Sequence, residues 1–287
     1  MTLIHLTSQD LHLAVAPMGA EMQYLRTAAG DDLLWDGDAA FWTGRAPVLF
    51  PIVGRAAEDM IAVGDHAAPM PQHGFARRSA FEVEAQTASM CRHILRANAD
   101  TRKVYPFEFA LRITHELAGA TLRVRAEVTN DDTQPMPFGF GYHPAFRWPL
   151  PNAEGRDHHV TLAQGGTPDM RALDDGLLKP TPIAGPFTDG DLVLRDGLFA
   201  NGALVFPNGA DALRYGPKGG PSLDFAFHNL PDLALWRPVG APFLCIEPWH
   251  GTASYVGDGP QIAERPNSIT LAAGQSVSFG YDVTFTP

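Results

Sequence analysis

The chain has 287 residues, 45% of them hydrophobic and 18% charged, an ordinary globular composition long enough for one large core or two modest ones. Lys and Arg total 21 against 32 Asp and Glu, a formal net charge of −11, and no Lys/Arg run offers a surface to nucleic acid or to an anionic membrane. Cys91 and Cys245 are the only cysteines and stand at no metal-ligand spacing, so both read as small buried hydrophobes rather than parts of a disulfide framework or a zinc site.

The first stretch, MTLIHLTSQDLHLAVAPMGAE, alternates apolar and polar residues and lacks the basic start and apolar run of a signal peptide or membrane span, which sets the expectation of a cytoplasmic protein. Within it, LHLAV from Leu11 reads as a strand. RAPVLFPIVGR (45–55) and PQHGFARR (71–78) place ionisable groups among Gly, Pro and aromatic residues, the mark of strand ends and loops with a fixed backbone. FALRITHEL follows, with Phe109, Leu111, Ile113, His115 and Leu117 at alternate positions. In ATLRVRAEVTN (120–130), Leu122, Val124, Ala126 and Val128 face one way while Arg123, Arg125, Glu127 and Thr129 face the other, the pattern of a half-buried antiparallel strand.

FGFGYHPAFRWP (138–149) is a third polar-in-aromatic stretch. The segment from Arg156 to Gly220, rich in Gly, Pro and Asp, reads as long loops within one domain, with strand-like pieces such as GALVFP in it. SLDFAF from Ser222 is a short strand. In LCIEPWHG (244–251) an apolar run is halted by Pro248, which predicts a strand tip with Glu247 on the rim of the core. SVSFGYDVTF, carrying Val277, Phe279, Tyr281, Val283 and Phe285 in alternation, closes the series. No window shows a long apolar stripe at helical spacing, and 28 Gly and 25 Pro interrupt the chain at short intervals. The reading is all-β, a large antiparallel β-sandwich forming a single domain over residues 1–287 without internal repeats.

Among ionisable groups, His73 precedes Gly74 and His143 precedes Pro144, with Phe75, Phe138, Phe140, Tyr142, Phe146 and Trp148 available as apolar walls. Either His alone reads as a turn or a hydrogen-bonded core residue; two of them together with a strand-end Glu tip the balance towards a site. His158 and His159 are adjacent and point to opposite faces of a strand, so they do not share a metal. His5, His12, His66, His93, His115, His228 and His250 fit no ligand spacing. No GxSxG, Walker A or GxGxxG context supports a nucleophilic serine or a nucleotide, which leaves acid/base chemistry or plain binding.

In PMGAE (17–21), LLWDGDAAFWTGRAPVLFPIVGR (33–55), PQHGFAR (71–77), FGYHPAF (140–146) and CIEPWHG (245–251) the chain resembles the aldose 1-epimerase (galactose mutarotase-like) family, in particular its LacX-like branch. The resemblance implies a β-sandwich with an open cleft for a monosaccharide and no cofactor or metal. It implies Glu247 as general base, His143 as general acid, and His73 and Arg55 as substrate-positioning residues. Trp249 offers an aromatic face to sugar C–H groups, with a core or rim role as the alternative. Two residues depart from the pattern: Asn201 and Gly202 stand where an Asp is common, and Ala145 where many galactose mutarotases have Tyr.

The chemistry suits these residue types, because interconverting anomers requires a base at the anomeric hydroxyl and an acid at the ring oxygen. A hexose 6-phosphate epimerase is the second reading, with Arg45, Arg55, Arg77 and Arg78 as candidate phosphate ligands. A carbohydrate-binding protein without turnover is the third.

Overall fold

A computed structural model describes residues 2–287. Two antiparallel sheets carry most of the chain. The nine-stranded sheet runs, in spatial order, Asp191–Val193, His159–Leu162, Ala212–Gly216, Ser222–His228, Ser276–Thr286, Thr121–Asn130, Phe109–Ala118, Met90–Arg96 and Glu82–Gln86. The eight-stranded sheet runs Leu177–Ile183, Met170–Asp174, Leu204–Phe206, Asp232–Trp236, Phe243–His250, Phe140–Tyr142 and Val48–Leu49, with Ala145–Arg147 also paired to Phe243–His250.

Register explains why the alternation in the sequence becomes one core. Val124 lies opposite His115 on one side and Tyr281 on the other, so three long strands turn their apolar residues to the same face. That face, with Leu111, Ile113, Leu122 and Phe279, meets Phe140, Phe146, Leu244 and Ile246 of the opposing sheet. Each large side chain so buried contributes about 1.5–3 kcal/mol.

A three-stranded sheet, Ile4–Thr7, Leu11–Val15 and Met22–Thr27, adds Leu6, Leu11 and Leu13 to the same core. Just beyond it, the Glu21 carboxylate of PMGAE accepts the backbone N–H groups of Arg45 and Ala46 at 2.8 and 3.0 Å and so fixes the approach to Val48–Leu49. No helix of the described residues is long and apolar enough to cross a membrane.

Two expectations are corrected. The segment 156–220 holds more strand than expected between its loops: it contributes the six strands His159–Leu162, Met170–Asp174, Leu177–Ile183, Asp191–Val193, Leu204–Phe206 and Ala212–Gly216, which build the flanks of both large sheets. The apolar run before Pro248 does not end there either. The strand continues to His250, so Glu247 lies inside a strand and is 1% exposed rather than at a rim.

Candidate active site

Phe243–His250 is buried on both faces, and period two assigns the contents of each. Leu244 and Ile246 enter the central core, while Phe243, Cys245, Glu247 and Trp249 point the other way. Its neighbour on one side is interrupted: Phe140–Tyr142 pairs with Trp249 and His250, Ala145–Arg147 pairs with residues from Phe243 to Cys245, and His143 and Pro144 fall between. Ile246 donates its N–H to the Pro144 carbonyl at 3.1 Å. N–H groups two residues apart leave the same side of a strand, so Pro248, which the common register of the two flanking segments sets opposite Tyr142, presents no N–H to that neighbour, while the same register sets His143 opposite Glu247.

The break brings His143 to Glu247. His143 Nε2 is 3.2 Å from Glu247 Oε2, a contact off the line of a hydrogen bond that leaves the oxygen without a partner. The imidazole is held by ring packing: Trp42 stacks on it with centroids 4.8 Å apart, and Trp236 meets it edge-on at 5.6 Å. His73 approaches edge-on at 5.5 Å.

His73 takes a left-handed backbone, φ 68°, next to Gly74. A Cβ on Gly74 would lie 2.2 Å from the Phe50 carbonyl oxygen, which is why glycine follows the histidine. His73 Nδ1 accepts the Gly54 N–H at 3.1 Å, so the neutral ring carries its proton on Nε2 and is a donor there. Buried Arg265 steadies the segment that supplies Gly54, donating to the Val53 and Thr252 carbonyls at 2.6 and 3.0 Å. Gly141 has a comparable role beside Trp249, whose ring carbon lies 2.5 Å from where a Cβ would stand.

These side chains line one cavity of about 430 Å³, room for a hexose. His73, His143, Glu247, Trp42, Trp236 and Trp249 form part of its wall, and Arg77 and Arg78 join them. Leu173, Leu178, Ala203, Val205 and Ala253 make another part apolar. Gly202 also lines the cavity and brings no carboxylate there, whereas Asn201 is exposed. Trp249 Nε1 and Glu247 Oε2, both belonging to cavity residues, have no hydrogen-bond partner in the protein.

Arg55 is placed differently from the contact role expected of it: it is absent from the cavity lining. Its guanidinium bonds the Asp59 carboxylate at 2.8 and 2.9 Å and the Asp175 carbonyl at 2.7 Å. Asp175 begins the turn that joins Met170–Asp174 to Leu177–Ile183, so Arg55 pins the hairpin whose Leu173, Gly176 and Leu178 form cavity wall. Trp42 and Trp236 were not selected from the sequence. Trp42 lies in the FWTGR stretch, a usable signal, while Trp236 has no local motif and is identified only by strand pairing opposite Cys245.

Burial dominates the electrostatics. It pushes the Glu247 carboxyl well above its ordinary range, against the opposing pull of the Arg77 charge. Burial likewise drives His143 well below its ordinary value, helped by His73 and Arg77. His73 falls to about 3 through burial and the charges of Arg77 and Arg265, so it is a neutral donor at physiological pH. The His143–Glu247 pair thus resists both net charges, positive with two protons and negative with none. Between its two transitions the pair holds one proton. Cys245 offers its sulfur within 4.8 Å of both residues but packs with Trp35, Ala145 and Phe243 and is not part of the cavity lining.

The aldose 1-epimerase family profile matches residues 2–284. This chain belongs to the aldose 1-epimerase family. The sequence is 26% identical to protein LacX of Lactococcus lactis subsp. lactis, in plasmid and chromosomal forms, over 98% of both chains. Among solved structures, a galactose mutarotase related enzyme from Lactobacillus acidophilus superposes with a TM-score of 0.94 at 28% identity, covering 100% of this chain and 98% of that one. A galactose mutarotase-like protein from Lactobacillus casei gives 0.90 at 28% identity, covering 99% and 100%. A putative aldose 1-epimerase from Escherichia coli, at 16% identity and a TM-score of 0.73 over 99% of both chains, shares the fold. Membership in the aldose 1-epimerase family supports a carbohydrate isomerase role, and the LacX match agrees with the LacX-like motifs.

Proposed function

We propose that the protein interconverts the α and β anomers of an aldohexose by acid/base ring opening. The carrying observation is the contact between Glu247 and His143 in the wall of a hexose-sized cavity. In the ionised arrangement, the Glu247 carboxylate takes the proton of the anomeric hydroxyl. The bond from C1 to the ring oxygen breaks, its electron pair stays on that oxygen, and the His143 imidazolium protonates it. This yields the open-chain aldehyde beside a neutral carboxyl and a neutral imidazole, the proton arrangement that burial favours. Rotation about C1–C2 and the reverse transfers close the ring on the other face.

The remaining residues position the sugar. His73 Nε2–H donates to a hydroxyl, Trp249 presents its ring face and its N–H, and Arg77 offsets the charge of the carboxylate. Arg55 acts at one remove, through the hairpin it holds. Release of protons, metal ions or cofactor is not needed at any step.

The 6-phosphate of the same sugar is the second reading, favoured by a specific observation. Arg77 and Arg78 line the cavity, and among the described residues neither makes an ion pair, whereas Arg55 is occupied by aspartates and Arg45 is outside the lining. An NMR exchange or polarimetric time course on glucose, galactose and their 6-phosphates tests both. A rate above buffer that disappears in His143→Asn and Glu247→Gln while sugar still binds supports the enzyme, and the faster substrate selects the reading. Wild type indistinguishable from buffer across the panel rejects both.

A further inference from the structure

A second buried cluster lies away from the cavity, on the inner face of the nine-stranded sheet. Met90–Arg96 and Phe109–Ala118 pair so that Cys91 stands directly opposite His115 and His93 opposite Ile113. Cys91 and His93, two residues apart, share a face, and the register adds His115 to it. The three side chains are 0%, 0% and 2% exposed, and each offers a ligand atom within 4.8 Å of the other two. None of them lines the sugar cavity.

Most of their side-chain nitrogens have no partner within the protein, while the Cys91 sulfur faces the His115 backbone N–H. His93 Nδ1, His93 Nε2 and His115 Nδ1 are buried without a hydrogen-bond partner, and Cys91 is a free thiol. The pairing neighbours on this part of the sheet are Val83 beside His93 and Val124 beside His115, which supply no acceptor. Native interiors rarely leave several such atoms unsatisfied together unless water or an ion completes them. A thiol and two imidazoles converging on one point form a soft-to-borderline donor set.

We infer that Cys91, His93 and His115 form a structural binding site for a thiophilic transition-metal ion, independent of the sugar chemistry. Charge and ligand number favour Cu⁺ over Zn²⁺. One thiolate neutralises a monovalent ion in an apolar core and three donors suffice for trigonal coordination, whereas Zn²⁺ would retain a net positive charge and an open fourth position. Binding displaces the thiol proton, and the side chains close by about 1 Å to reach bonding distances near 2.0–2.3 Å. The linear spacing of Cys91, His93 and His115 concealed the set because it is assembled by strand register.

The test is metal binding by the full-length protein. Wild type is stripped with a chelator, then loaded anaerobically with Cu⁺ against a colorimetric competitor, or with Zn²⁺, and assayed for bound metal after desalting; Co²⁺ serves as a spectroscopic probe. The inference predicts about one equivalent retained, a thiolate-to-cobalt charge-transfer band in the near ultraviolet, and at least ~10-fold weaker binding in Cys91→Ser and His93→Gln. Anomer exchange in Cys91→Ser stays at the wild-type rate. Tighter retention of Cu⁺ than of Zn²⁺ supports the charge argument. Wild type that retains no metal and shows no thiolate band overturns the site without recourse to any variant. Metal retained by Cys91→Ser but lost in Glu247→Gln overturns it too, by assigning the ion to the sugar cavity.

Discussion

Two clusters each bury a pair of histidines beside a third ionisable group: His73 from a turn and His143 between strands, with Glu247 of the eight-stranded sheet, and His93 and His115 with Cys91 on the nine-stranded sheet. Residue type and burial are nearly the same in both, and in both burial holds the imidazoles neutral. What differs is the surroundings of the unpartnered atoms. At Glu247, Trp249 and His143 they belong to residues in the wall of a cavity of hexose size, whereas His93 and His115 line no such cavity. Burial and shifted titration therefore do not by themselves single out one histidine cluster; a place in the wall of a cavity separates the two.

The largest effect that can break this contrast is loss of the proposed acid or base. Glu247→Gln and His143→Asn are expected to lower kcat by about 10²–10⁴-fold, the usual range for a general acid or base, with sugar affinity within a few-fold of wild type by calorimetry. Equal losses from Cys91→Ser would erase the distinction between the clusters.

Next is His73→Asn, chosen because Asn tolerates the left-handed backbone that His73 adopts. Loss of the donor is expected to raise KM by about tenfold, corresponding to ~1.4 kcal/mol of binding, with a smaller change in kcat. A kcat loss as large as that of Glu247→Gln would make His73 a proton-transfer group.

Arg77→Met sharpens the electrostatic side. The Arg77 charge lowers Glu247 and also lowers His143, so its removal raises both. Both limbs of the pH profile of kcat/KM are then expected to move to higher pH. A fixed profile would show that the charge of Arg77 does not reach the pair.

The smallest effect is on stability. His73 takes up a proton in the unfolded chain near its ordinary value of 6.5 but in the folded protein only at about 3. Between those values the unfolded state binds more protons, so stability falls as pH is lowered from about 6.5 towards 3. The slope reaches about 1.4 kcal/mol per pH unit for this residue. Urea unfolding at pH 7, 6 and 5 reads the summed slope, to which buried His115 and His143 contribute in the same direction; His73→Asn lowers it by one residue's share, and an unchanged slope would assign the acid sensitivity to the other histidines.

Much of the architecture was legible because alternating residues such as Leu122, Val124, Ala126 and Val128 encode one face of a strand directly. The strands between His159 and Gly216 were harder to read, since short strands divided by Gly, Pro and Asp resemble loops until their partners are known. Pro248 misled for the same reason. The strand runs on through it because residues on both sides of the proline stay paired with Phe140–Arg147 and with Asp232–Trp236, partners that are distant in the chain. At the cavity, motifs pointed to His73, His143, Glu247 and Trp249, but side-chain direction separated Arg77, which lines it, from Arg55, which braces its wall. No linear pattern reveals that Cys91 lies across from His115.

The central claim, that His143 and Glu247 exchange protons with a ring-opening sugar, is tested most directly by NMR exchange between the α and β anomers with wild type and Glu247→Gln at equal sugar occupancy. Occupancy is followed through the fluorescence of Trp42, Trp236 and Trp249, which line the same cavity. The account predicts exchange well above buffer for wild type and near the buffer rate for Glu247→Gln, with sugar bound to both. Undiminished exchange in the bound Glu247→Gln protein would contradict it.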